Sequence, residues 1–247
     1  MKILGIIPAR FASTRLPGKP LVNLAGKTMI RRVYEQALKA NLINHLVVAT
    51  DDERIVNEVE SFGGNVVLTS SLHQSGTDRC AEVAQKIPGF DVVINIQGDE
   101  PLINPAQINL LASCFNNPTT SIATLVKKIE TYTELHNFGT PKVVLNQNLE
   151  AVYFSRQALP HLRDVPINIW LDQHTFYKHI GIYGFLTPTL LNISKLPSSP
   201  LEKMEMLEQL RWIENGYKIK VAITEFESIS VDSPEDVAEV LKVLGNK

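Results

Sequence analysis

The chain is poor in the features that tie a protein to an oxidising compartment, a membrane or a polyanion. Its 247 residues hold only two cysteines, Cys80 and Cys114. With no CxxC pair and no histidine cluster beside them, neither a zinc site nor a redox motif is indicated, and both are expected to be buried free thiols. Long apolar runs are missing as well: the N-terminal stretch Ile3–Ile7 is interrupted by Gly5 and stopped by Pro8, far short of a signal peptide or a spanning helix. A cytoplasmic location without a membrane partner is therefore expected. An excess of one charge is lacking too. The 24 Lys and Arg against 26 Asp and Glu create no global field that would recruit nucleic acid, so any bound anion must be held locally. HExxH, GxSxG and a Cys/His dyad are absent, which removes the common protease and hydrolase signatures.

What is present is an apolar content of 44%, enough for one large α/β domain with its own core. Ile- and Val-rich runs at Ile3–Ile7, Leu46–Ala49, Val66–Leu68, Val92–Ile96, Ile122–Val126, Val143–Leu145, Ala151–Phe154, His179–Phe185, Ile219–Ile223 and Ser228–Val231 read as strands. Helical patterns at Met29–Ala40, Glu53–Phe62, Asp78–Lys86, Ala106–Phe115, Leu201–Asn215 and Pro234–Leu244 fall between them. Continuously apolar strands are those of a mostly parallel sheet covered on both faces, which predicts a three-layer α/β/α sandwich spanning residues 1–247. Between about 130 and 186 the spacing changes to close strands and polar loops, predicting a small β-rich lobe for substrate or dimerisation.

In such sheets ligands sit beyond the carboxyl ends of the strands, and the loops there carry the chemistry. The first runs Pro8-Ala9-Arg10-Phe11-Ala12-Ser13-Thr14-Arg15-Leu16-Pro17-Gly18-Lys19-Pro20. Its proline and glycine forbid an amphipathic helix, so Arg10, Arg15 and Lys19 decorate a loop whose amides and cations suit a triphosphate. A P-loop fails, because Pro20 follows Gly18-Lys19 and Leu21 stands where the first glycine before Gly26-Lys27-Thr28 must be. The second loop, Gln97-Gly98-Asp99-Glu100-Pro101, places Asp99 at a strand exit, and Asp232 follows another apolar run. Two carboxylates beside a cationic phosphate loop fit Mg²⁺, which takes one or two carboxylates and completes its shell with phosphate oxygens. Asp236 and Glu235 are read instead as helping the first turn of the last helix. His73-Gln74-Ser75-Gly76-Thr77-Asp78-Arg79 offers amide and hydroxyl groups suited to a base or ribose edge. In the segment 200–211, Leu201, Met204 and Leu207 form a core stripe, with Glu205 and Glu208 read as solvated charges.

Taken together, IIPARFASTRLPGKPL, VATDDERI, HQSGTDR, INIQGDEPLI, PKVVLN, YFSRQALP, HIGIYGF, SPLEKMEMLEQLR and SVDSPEDV resemble the 3-deoxy-manno-octulosonate (KDO) cytidylyltransferases, the CMP-KDO synthetases, over essentially the full length. The resemblance implies a fold of the nucleotide-diphospho-sugar transferase type and a reaction in which CMP passes from CTP to the anomeric hydroxyl of KDO, an activation step for lipopolysaccharide synthesis. It implies that Arg10, Arg15, Lys19 and Asp99 carry catalysis, and that Pro8, Ala9, Arg10, Arg15, Lys19, Gln74, Ser75, Gly76, Thr77, Arg79 and Gln97 bind the nucleotide. Arg156, His179, Tyr183, Glu208 and Gln209 would line the sugar pocket, overturning the solvated reading of Glu208. Asp99 and Asp232 would hold Mg²⁺, and a homodimer is expected. Cytidylyltransferases for sialic acid or an 8-amino form of the sugar share the nucleotide loops, and a non-catalytic nucleotide-binding module would keep the fold. The sugar-facing segments favour KDO, and the presence of both aspartates favours an enzyme.

Overall fold

The computed structural model describes residues 1–12, 16–227 and 229–245. The first half alternates β1 (Ile3–Ala9), a short hairpin of β2 (Asn23–Leu24) and β3 (Lys27–Thr28), α1 (Met29–Ala37), β4 (His45–Thr50), α2 (Glu53–Ser61), β5 (Val66–Leu68), α3 (Gly76–Lys86), β6 (Val92–Asn95) and α4 (Pro105–Ser113). Then come β7 (Ile122–Lys128), α5 (Tyr132–His136), β8 (Lys142–Leu145), β9 (Ala151–Ser155), α6 (Trp170–Gln173) and β10 (Tyr177–Leu186). The chain closes with α7 (Thr187–Ile193), α8 (Pro200–Glu205), α9 (Gln209–Glu214), β11 (Ile219–Ile223) and α10 (Pro234–Gly245).

Helix starts are set by short polar side chains that accept orphan amide hydrogens. Thr28, Asp52, Ser75, Asn104 and Ser199 each cap a helix this way, and Ser75/Asp78, Asn104/Gln107 and Ser199/Glu202 form reciprocal capping boxes. Each cap is worth about 0.5–2 kcal/mol. Among the described residues the main sheet runs β11-β7-β10-β6-β1-β4-β5, with β8 and β9 added beyond β10. Every neighbour pair in that row is parallel except those made by β10, which runs antiparallel to β6 and β7. One apolar cluster includes Ile7, Ile30, Val48, Ile94 and Leu111, and another includes Leu4, Val83, Val93, Phe185 and Trp212. These are the two covered faces that a continuous apolar strand pattern requires, and full burial of each such side chain contributes about 1.5–3 kcal/mol.

Strand β10 does the most to shape the molecule. Its ten residues exceed the four of β6, and antiparallel pairing of Tyr183 with Asn95 leaves Tyr177–Ile182 overhanging the carboxyl end of β6. The overhang pairs on one edge with the end of β7 and on the other with β8, which in turn pairs with β9. The segment after residue 130 thus extends the same sheet past the edge where the ligand loops emerge.

Four sequence expectations fail locally. Residues 229–231 form no strand, and Ser228 lies outside the described residues; Val231 instead donates a single main-chain hydrogen bond to the Asp99 carbonyl, 2.9 Å. The helix expected over Leu201–Asn215 breaks into α8 and α9 because Met206 adopts the left-handed conformation, φ 53°. Met204 is consequently 79% exposed and not part of the core, whereas Leu207, Leu210 and Trp212 are buried. Cys80 is buried as expected, but Cys114 is only half-buried.

Candidate active site

The first cavity, about 440 Å³, opens where β1 and β6 end side by side. It is lined from the first loop by Pro8, Ala9, Arg10, Lys19 and Pro20, from the start of α3 by His73, Gln74, Ser75, Gly76 and Arg79, and by Gln97, Gly98, Asp99 and Asp232. Close main-chain approach makes this possible. A β-carbon on Gly98 would stand 2.7 Å from the Pro8 carbonyl oxygen, so only glycine lets the two loops touch. Ser75, the cap, and Gly76 line the cavity, so it borders the N-terminal, positive end of the α3 dipole. Arg79 is buried and spent on the fold: its guanidinium donates to the Thr69 hydroxyl and lies 3.4 Å from Asp51. Arg10 stays exposed at the rim.

At the floor, the Lys19 ammonium lies 2.6 Å from Asp99 Oδ2 and 3.0 Å from Asp232 Oδ1. Burial would lower the Lys19 pKa, but the charges and hydrogen bonds of Asp99 and then Asp232 outweigh it, and the pKa is raised. The two aspartates converge although neither ends a strand. Asp99 follows β6 by a short turn, and Asp232 is held by the Val231–Asp99 main-chain bond and by Asp236, whose carboxylate accepts from the Asp232 and Ser233 amides at 2.8 Å each. That is the helix-start role expected of Asp236.

The second cavity, about 470 Å³, shares Gln97, Asp99 and Asp232 with the first. Its wall is β10, with His179 and Gly181 on the overhang and Tyr183 beside it; the α8–α9 break supplies Met206, Leu207, Glu208 and Gln209; and the loop before β8 supplies Gly139, Thr140 and Pro141. The Thr124 hydroxyl donates to the Ile182 carbonyl at 2.8 Å, leaving it to accept from His179 Nε2 at 3.0 Å. Burial pushes the His179 imidazole down to about 3, so it is a neutral donor at physiological pH. Burial also raises the Tyr183 hydroxyl well above its ordinary value, and the same effect raises Glu208 against the hydrogen bond from Thr77. Lys178 is neutralised by Glu134 and Glu227.

Two further cations hold the cavity's loops from behind. Lys142, with no exposed surface, donates to the carbonyls of Asn137 (2.8 Å), Thr140 (2.7 Å) and Arg156 (2.7 Å). The Arg156 guanidinium donates to the carbonyls of Glu205 (2.7 Å), Phe138 (3.0 Å) and Met206 (3.3 Å).

The geometry redistributes the sequence-derived site. Pro8, Ala9, Arg10, Lys19, Gln74, Ser75, Gly76, Arg79 and Gln97 meet in the first cavity, and His179, Tyr183, Glu208 and Gln209 in the second. Arg15 lies outside the described residues. Thr77 lines neither cavity; it is buried, and its hydroxyl points away to Glu208 at 2.8 Å. Arg156 also lines neither, because its guanidinium is drawn onto three main-chain carbonyls. Sequence reasoning missed Glu100, Thr140, Lys178, Glu227 and Ser230, all on the second cavity. Only Glu100, inside the QGDEP loop, carried a local signal; the others reach the site through the β10 overhang and loops that no single motif marks.

Two cavities joined at a pair of carboxylates, one built from helix and loop amides with cations and the other from hydroxyl-binding side chains, describe a nucleotidyltransferase with separate donor and acceptor sites. The profile of the family described as Cytidylyltransferase matches residues 4–219, and the chain belongs to that family. Relatives narrow the class. The chain is 55% identical to the 3-deoxy-manno-octulosonate cytidylyltransferases of Parabacteroides distasonis and of Bacteroides thetaiotaomicron, in each case over the whole of both chains. A solved structure of a CMP:2-keto-3-deoxy-manno-octonic acid synthetase complexed with CTP superposes with a TM-score of 0.92 at 39% identity, covering 100% of this chain and 99% of that one.

Proposed function

We propose that the protein is a 3-deoxy-manno-octulosonate cytidylyltransferase that binds CTP in the first cavity and KDO in the second, and joins them where the two meet. The observation that carries this reading is the shared edge of Gln97, Asp99 and Asp232. The anomeric hydroxyl oxygen of the sugar forms a bond to the α-phosphorus while the α–β phosphoanhydride breaks, giving CMP-KDO and pyrophosphate. Arg10, Arg15 and Lys19 offset the charge that collects on the departing pyrophosphate; the amides at the start of α3 hold the nucleotide, and Gln74 and Ser75 read it. His179, Glu208 and Gln209 orient sugar hydroxyls. Such a transfer needs positioning and charge neutralisation more than covalent catalysis, and no protein base is assigned to the hydroxyl proton.

Magnesium fits the donor set. Asp99 and Asp232 already converge on one cation, the Lys19 ammonium, and two carboxylates with phosphate oxygens and water suit this ion. Among the described residues no group of three or more His, Cys, Asp or Glu is arranged to hold a metal. When bound, the ion would supply Lewis-acid stabilisation of phosphate charge. The large apolar side chains Phe138, Val152, Met204 and Met206, all exposed on or beside the β8–β9 extension, support a homodimer through this region, and light scattering across the micromolar range tests it. No described helix is long and apolar enough to cross a membrane; use of CTP as the donor supports a cytoplasmic site of action.

The test is pyrophosphate release with CTP, Mg²⁺ and a panel of acidic sugars. Release with KDO well above that with sialic acid or the 8-amino sugar is expected, as is preference for CTP over UTP. Equal use of all the sugars would refute the assignment of the second cavity.

A further inference from the structure

We propose that Thr77 is a positioning residue for the acceptor cavity, carried on the helix that builds the donor cavity, so that the Thr77–Glu208 hydrogen bond couples the two. The inference rests on the function proposed above and adds to it a residue that touches neither substrate.

Thr77 sits one residue after Gly76, at the start of α3, yet it is 2% exposed and lines neither cavity. Its hydroxyl donates to Glu208 Oε2 at 2.8 Å, across 131 positions of sequence. Glu208 stands between α8 and α9, in the break opened by the left-handed Met206, and lines the acceptor cavity. The hydroxyl restrains a carboxylate that stands at this break rather than inside a helix. Ser75, which lines the donor cavity and caps α3, also bears on the Glu208 carboxyl, opposing part of the rise that burial gives its pKa. Both contacts come from the turn whose preceding residues face the nucleotide. A nucleotide that fixes Gln74–Gly76 therefore also fixes the anchor of Glu208. Coupling of this kind requires no moving domain, only a shared rigid element.

The test separates substrate affinities. Hydrogen bonds to charged groups are worth enough for Thr77→Val, which keeps the side-chain shape and removes the hydroxyl, to raise KM for KDO by roughly tenfold. The calorimetric Kd for CTP with Mg²⁺ should change by less than about twofold, and Thr77→Ser should restore KM. In a Glu208→Gln background, Thr77→Val should add little further change, because the two act as one unit. A urea-denaturation cycle of the same variants reads the contact without substrate. A Thr77→Val enzyme that loses CTP affinity as much as KDO utilisation, or that matches wild-type KM, overturns the proposal, as does a stability cycle without coupling. Wild-type protein that releases no pyrophosphate with KDO instead overturns the proposed function, and the stability cycle then decides the Thr77–Glu208 contact alone.

Discussion

The two cavities are made in different ways although they share an edge. The donor side is built from short loops directly after β1 and β6 and from the first turn of α3, with Gly98 required by its close approach to the Pro8 carbonyl. The acceptor side is built from side chains on an overhanging antiparallel strand, a broken helix pair and a loop held from behind by Lys142 and Arg156. The first kind of site tolerates little change in backbone and the second little change in the packing that supports it. The comparison teaches that loops at parallel strand ends form one cavity from local sequence, whereas the other needs a strand that breaks the parallel pattern.

The sharpest way to break the comparison is at the edge the cavities share. Asp99→Asn and Asp232→Asn should each lower kcat by more than about 10²-fold while the protein stays folded, since each removes charge stabilisation worth several kcal/mol in the transition state. Activity within about tenfold of wild type at saturating Mg²⁺ would take that residue out of the centre.

On the donor side alone, Lys19→Met should slow turnover by about 10–10²-fold, because a charge-assisted contact to phosphate is lost. It should leave the preference for CTP over UTP as it was, as the ammonium faces Asp99 and Asp232 and the proposed base-reading groups, Gln74 and Ser75, lie just before α3. A defect mainly in base selectivity would reverse the assignment of the loop.

On the acceptor side, Arg156 separates a supporting role from a binding one. Its three carbonyl partners predict that Arg156→Ala loses about 1–3 kcal/mol of stability in urea denaturation and raises KM for the sugar with CTP affinity intact. Unchanged stability with impaired sugar use would instead make Arg156 a direct contact to the sugar, in the pocket-lining role that the sequence resemblance implied.

The remaining prediction concerns pH. An unfolded chain protonates His179 near its ordinary value of 6.5, whereas the folded chain does so only near 3. A histidine with a depressed folded pKa stabilises nothing extra above 6.5, and as the pH falls below that value the unfolded state gains the proton first. Wild-type stability should therefore fall more steeply than that of His179→Asn between pH 6.5 and about 3, by up to about 1.4 kcal/mol per pH unit. Parallel urea titrations at successive pH values measure the difference, and identical slopes would mean that the imidazole is not buried in solution.

The sequence by itself determined the alternation of strands and helices, most helix starts, and the donor loops. Those features depend on neighbours within a few residues: an apolar run, a capping side chain, a proline or glycine that forbids a helix. Lys19, Asp99 and Ser75 were legible for that reason. Tertiary structure decided the rest. The antiparallel direction of β10, the break at Met206 and the loss of a strand at residues 229–231 arise from pairing with segments far away in the chain, where local preference is overruled by the partner's geometry. The same holds for side-chain roles. Thr77 reads as part of a nucleotide motif and Arg156 as a sugar-pocket residue, but their partners, Glu208 and the carbonyls of Phe138, Glu205 and Met206, lie 18 to 131 residues away. A donor's choice of acceptor is fixed by distance and burial, and only the folded chain sets those.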